Sequence, residues 1–258
     1  MLTHRGVERT FLHNLQLAVL LSFCGGLVNV LGVIELQMMT TNVTGYLSVF
    51  VEDLLALDWL KTRYVFLLIF SFFSGAFFSH FVLLLQRKLL QKVFYTLPLL
   101  VEVVCLILIG TQGDKWIGMG YSYEVACFLL FLMGLQNSLV TFISNAVVRT
   151  THVTGIFTDL GIETARLLFY FTHAEERMRL FSLIGLKLAI VISFCCGGIV
   201  SGYFYDTLGL QTLCIASVVL LFTSGYDYFK TMMADVIEES KKHLGPLRHI
   251  RSKGLFKK

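Results

Sequence analysis

Six apolar runs, at 15–34, 64–85, 93–110, 125–148, 180–202 and 208–226, take up most of this 258-residue chain. A bilayer core needs roughly 20 mostly apolar helical residues to cross it, and each run approaches or exceeds that length. Backbone N–H and C=O groups in lipid must bond within their own segment, so the runs predict helices rather than isolated strands. Composition agrees: hydrophobic residues make up 56% and charged residues only 15%, against about 25% charged in soluble domains. The mean hydropathy of +0.74 belongs with an integral membrane protein.

The excess of basic residues invites a nucleic-acid reading, but their positions argue against it. With six crossings, 17 of the 21 Lys and Arg fall on one side, in the N-terminus, two loops and the tail from Lys230 to Lys258. The positive-inside rule then makes both termini cytoplasmic. The first run is too long for a cleaved signal and lacks a small-residue exit, so it is expected to be retained. The six cysteines lie inside apolar runs without ligand or redox spacing and read as small packing residues.

A hexapeptide recurs. Thr40-Thr41-Asn42-Val43-Thr44-Gly45 returns as Thr150-Thr151-His152-Val153-Thr154-Gly155. Each copy follows a run carrying Gly-Leu-x-Asn, with Gly26, Leu27 and Asn29 in the first and Gly134, Leu135 and Asn137 in the second. The chain therefore reads as two related halves of three spans each. An odd number of crossings per half turns them upside down relative to each other, as in many transporters. The expected fold is all-α, with six transmembrane helices as two inverted three-helix repeats, each broken after its first span. The divisions follow: 1–13 is a cytoplasmic N-terminus, 14–111 and 121–228 are the repeats, and 229–258 is a basic cytoplasmic tail.

Each break is followed by a short helical pattern. After the first copy, Leu47, Phe50, Val51, Leu54 and Leu55 make one apolar face. After the second, Asp159, Glu163 and Arg166 interrupt a helix running from Thr154 to about Tyr170. Both segments read as half-helices or interfacial helices. Small residues in the second span (Ser71, Gly75, Ser79) and the fifth (Gly198, Gly202) predict close helix packing.

This pattern resembles the YoaK-like family of bacterial multipass membrane proteins, a domain of unknown function. The second copy, from Gly134 through Arg149 to Gly155, is the closer match. The resemblance covers roughly residues 12–228 and leaves the basic tail outside. It implies a six-helix protein of the bacterial inner membrane and supplies no substrate.

Two chemistries are open to the motif. Threonine before a helix caps it by accepting from an orphan N–H, which is a purely structural role. The same groups facing a cavity bind an anion or polar solute, aided by the helix dipole. The candidate solute site is Asn29, Thr40, Thr41, Thr44, Gly45, Asn137, Arg149, Thr150, Thr151, Thr154 and Gly155. Arg149 either attracts an anion or snorkels to the interface, and Lys187 snorkels from the end of its span. His152 and Glu102, a lone acid amid Leu99-Leu100-Val101 and Val103-Val104-Cys105, are candidates for proton coupling.

No P-loop, nucleophile elbow, zinc-protease or dinucleotide motif occurs, so no enzyme, cofactor or metal is expected. The leading function is a small secondary transporter or permease for a small polar or anionic solute. The alternative is a non-transporting membrane scaffold or sensor. Expected partners are the lipid bilayer and a small-molecule solute, not nucleic acid. Six helices are few for a complete rocking transporter, which leaves a homodimer open.

Overall fold

A computed structural model describes residues 11–91 and 93–225. The expected basic tail, Lys92 and most of the N-terminus lie outside the described residues. Among the described residues there is no strand, and the chain forms seven α-helices. These are α1 (Phe11–Leu36), α2 (Val43–Leu55), α3 (Trp59–Leu90), α4 (Thr96–Gly118), α5 (Ser122–Ile143), α6 (Val153–Phe169) and α7 (Ala174–Leu208). A 3-10 turn at Gly209–Thr212 and a further helical stretch, 213–225, follow.

Among the described residues, five helical runs are long and apolar enough to cross a membrane: α1, α3, α4, α5 and the stretch Ala174–Gly225. The fifth and sixth expected runs are thus joined in one stretch of 52 residues. That stretch is not straight. Gly209 has φ +54° and ψ −134°, a conformation that costs little only without a Cβ. Before it, α7 advances along α1 until the Tyr205 hydroxyl donates to Glu35. Beyond it, Cys214 lies beside Gly110, Ser217 Oγ is 3.5 Å from the Val103 carbonyl, and Ala216 accepts from Cys24 Sγ at 3.7 Å. The chain therefore doubles back along α4 toward the middle of α1.

The breaks fall where the repeated hexapeptide lies. α1 stops at Leu36, and Gln37 takes a left-handed φ of +56°. The second break starts earlier than expected: α5 ends at Ile143, inside the apolar run, because Asn145 and Ala146 are left-handed at +54° and +63°. The half-helix α2 buries no side chain, and Leu47, Val51 and Leu55 are exposed. Its apolar face is turned outward, which suits acyl chains. A ladder of exposed rings on α3, Phe66, Phe70, Phe73, Phe77 and Phe81, makes a second such face.

α1 and α5 are the inner helices, each 61% buried over its most apolar window, against 22% for α3. Their partners are exchanged between the halves: α1 packs on α7, and α5 on α3. At the first crossing a Cβ on Gly26 would overlap the Phe194 carbonyl, and one on Gly197 the Phe23 carbonyl. At the second, Gly134 meets the Phe72 carbonyl and Gly75 the Phe131 carbonyl in the same way. Backbones this close gain dispersion and Cα–H···O contacts that larger residues forbid. The expected Gly75 and Gly198 are at these seams, but Gly202 has nothing within 4 Å, and Gly197 takes its place.

Within each pair the helices run the same way. Tyr64 meets Tyr123, Phe72 meets Gly134, and His80 meets Phe142 along α3 and α5. Gly26→Val and Gly134→Val should each destabilise the fold by about 1–3 kcal/mol, as overpacked cores do. In detergent this appears as a lower unfolding midpoint. Gly185→Ala, where an added Cβ meets nothing within 4 Å, should not lower it.

Candidate functional site

The two copies of the hexapeptide face one cavity of about 640 Å³, within the usual range of roughly 300–1,000 Å³ for small-molecule sites. Asn29, Thr41, Asn42 and Thr44 line it from the first copy. Asn137, Thr151, His152, Thr154 and Gly155 line it from the second. Phe72 and Phe194, the residues whose carbonyls seat the glycines, close its walls. The lining contains no carboxylate, ammonium or guanidinium, so its polarity comes from hydroxyls, amides, one imidazole and two helix starts.

Local chemistry explains the conserved shape of the two copies. The Asn42 side chain caps α2 by accepting from the Gly45 N–H at 3.0 Å. A Cβ at position 45 would come within 2.7 Å of that amide, so glycine leaves room for the cap. At Gly155 a Cβ would strike the His152 ring, which stands over the start of α6 without a side-chain capping bond. Burial follows one register in both copies: Thr40 and Thr150 are fully enclosed, whereas Thr44 and Thr154 are exposed. The hydroxyls of Thr40 and Thr150 have no partner and do not line the cavity.

The copies differ at their tips. Thr41 donates to Asn29 Oδ1 from both its backbone N–H, at 3.2 Å, and its hydroxyl, at 2.9 Å. The matching Oδ1 of Asn137 is enclosed and has no partner. The Gln136 amide beside it is fully buried with both polar atoms unpaired.

A second cavity of about 390 Å³ adjoins the first through His152, Gly155 and Thr158. Arg149, Asp159 and Lys187 line it. Lys187 does not snorkel, as its place near the end of a span suggests; its ammonium pairs with Glu163 and lies 3.4 Å from Asp159. The Lys187 side chain is only 15% exposed and that of Glu163 11%, so this pair ties α6 to α7 largely out of solvent. Arg149 is exposed at the mouth of this second cavity. Glu102 is fully buried in α4 with neither oxygen partnered and lines neither cavity.

Of the candidate residues, Thr40, Gly45, Arg149, Thr150 and Glu102 are absent from the main cavity's lining, and the others share it. Phe72, Phe194 and Thr158 are lining residues that the motif does not include. A signal for the first two is present: Phe-x-x-Gly occurs at Phe23, Phe72, Phe131 and Phe194, once in each helix of the exchanged pairs.

Lys187→Met should destabilise the protein by on the order of 3 kcal/mol, because it leaves Glu163 enclosed without its counter-charge. Lys187→Met/Glu163→Gln should recover most of that loss, as measured by unfolding midpoint in the same detergent.

A family model described as a protein of unknown function, DUF1275, matches residues 17–226. No curated protein and no solved structure matches the chain. The match takes in both copies of the hexapeptide and stops before the basic tail, in keeping with the resemblance carried by that motif. The chain is a multipass helical membrane protein and belongs to the DUF1275 family of proteins of unknown function.

Proposed function

We propose that this protein is a small secondary transporter or permease of the bacterial inner membrane, passing a small polar or anionic solute between two inverted repeats. The observation that carries the proposal is the shared cavity: both hexapeptide copies, far apart in sequence, line it together. A cap needs only its own helix, so a purely structural motif has no reason to meet its repeat across a polar space.

The helix directions support six crossings. α1 and α7 run one way, α3 and α5 run together, and the chain turns back at Gly209. If α1 leaves the cytoplasm, α3 returns, α4 leaves, α5 returns, α7 leaves and 213–225 returns. Both parallel pairs then obey the order of crossings, and both termini are cytoplasmic, as the basic residues require. In this arrangement α2 and α6 start near the midplane and run to opposite surfaces, with their positive ends directed at the cavity.

Hydroxyl and amide groups from Thr41, Thr44, Asn42, Thr151 and Thr154 provide neutral hydrogen bonds, and the helix starts favour a negative group. Arg149, exposed in the lining of the adjoining cavity, brings such a solute toward the cytoplasmic end, whereas Lys187 is neutralised by Glu163 and Asp159. If transport is coupled to protons, His152 is the group in position, since it borders both cavities. Glu102 is enclosed elsewhere in α4, so Glu102→Gln should leave the pH profile of flux unchanged.

The test is uptake of pooled small metabolites into proteoliposomes by the full chain and by Thr44→Val/Thr154→Val. Flux above protein-free vesicles in the wild type, reduced at least about tenfold in the double variant (the loss of roughly one hydrogen bond at each site), is the expected result. Background flux in both would leave the repeats as a membrane scaffold or sensor.

A further inference from the structure

We infer that Asn29 and Asn137 are alternating clasps: each pins the tip of its own re-entrant segment, and only one is closed at a time. This rests on the transport reading above and adds to it the residues that set which way the cavity opens. The two asparagines occupy the same place in the two repeats, three residues after Gly26 and Gly134 at the helix crossings. Their surroundings match, but their bonding does not.

In the first repeat the segment folds back onto α1 and is held at several points. Met38 N–H donates to the Gly32 carbonyl at 3.2 Å, and Tyr46 Oη donates to the Met39 carbonyl at 2.9 Å. Thr41 then closes the tip with two hydrogen bonds to Asn29. In the second repeat the bonds hold only the base of the segment. Ser144 and Val148 bond each other, and Ala146 N–H reaches the Thr141 carbonyl at 2.8 Å. The tip has no counterpart of the Thr41–Asn29 bonds: Asn137 Oδ1 is enclosed and unpartnered, although Thr151 carries the donors that Thr41 uses.

A buried amide oxygen without a donor is costly, and its natural donor lies in the same cavity wall. The open tip is also the side where the second cavity joins the first. Related repeats that hold unlike conformations can exchange them, and the exchange turns the cavity to the other face. In the exchanged state Thr151 donates to Asn137, the Asn29–Thr41 bonds are broken, and access shifts from the α6 side to the α2 side. Asn29 and Asn137 are positioning residues here, acting through the threonine tips rather than by holding solute.

The experiment uses the full chain in right-side-out and inside-out vesicles, with Thr44→Cys or Thr154→Cys as reporters. A membrane-impermeant maleimide is applied, and labelling is read residue by residue by peptide mass spectrometry, with enclosed Cys24 as internal control. Asn29→Ala should raise labelling from the α2 side and lower it from the α6 side by about fivefold, roughly the population shift one net hydrogen bond supports. Asn137→Ala should do the opposite. Thr41→Val, which keeps the backbone donor, should shift labelling in the same sense as Asn29→Ala but less, and covers the case in which Asn29→Ala fails to fold. Shifts in the same direction for both asparagines, or no shift in Thr41→Val and Asn137→Ala, would overturn the clasp. Opposed shifts, with no solute flux through the unsubstituted chain, would remove the transport reading and leave the clasp standing. Flux with unmoved labelling would do the reverse.

Discussion

Phe23, Phe72, Phe131 and Phe194 each present a backbone carbonyl where a facing glycine would otherwise carry its Cβ. In lipid there is little hydrophobic gain from bringing two apolar helices together, so contact must come from close packing. Glycine at each point of closest approach supplies it. Because Phe and Gly are three residues apart in all four helices, each helix offers one carbonyl and one gap to its partner. Two such crossings, α1 with α7 and α3 with α5, set the distance between the halves and leave the polar space between them.

The rest of the site hangs on these crossings. Asn29 and Asn137 lie one turn beyond their glycines and so arrive at the same cavity from opposite helices. The hexapeptides then turn back toward them. Glycine at positions 45 and 155 clears room for Asn42 and His152 to stand over the starts of α2 and α6. The difference between those two residues is chemical: the amide of Asn42 caps its helix, whereas the imidazole of His152 remains over its helix without a side-chain cap. The halves are built alike and bonded differently.

Much of this could be read from the residues alone. The hexapeptide located both half-helices to within a residue or two of α2 and α6, because loss of apolar periodicity is a strong local signal. The two motifs line one cavity, as the repeated hexapeptide led one to expect. Long-range geometry was harder to see. Hydropathy does not distinguish a span from the non-helical residues after Ile143, since Val147 and Val148 are as apolar as the helix before them. The pairing of Lys187 with Glu163 joins residues 24 apart on different helices, and a basic residue near a span end looks the same whether it snorkels or pairs. Phe-x-x-Gly is present five times, once each in α1, α3, α5 and α7 and again at Phe222, and only the packing reveals which copies face each other.

The exchange of partners also bears on how the chain is made. Glu35 at the end of α1 finds Tyr205 only 170 residues later, and the seam at Gly26 waits for Phe194. α1 therefore enters the bilayer with its glycine face open to lipid and stays unpaired through most of translation. Neither half can complete its interior alone. A nascent chain halted after α4 would hold two half-built seams, with surfaces that other membrane helices, or the insertion machinery itself, must shield until the second half emerges.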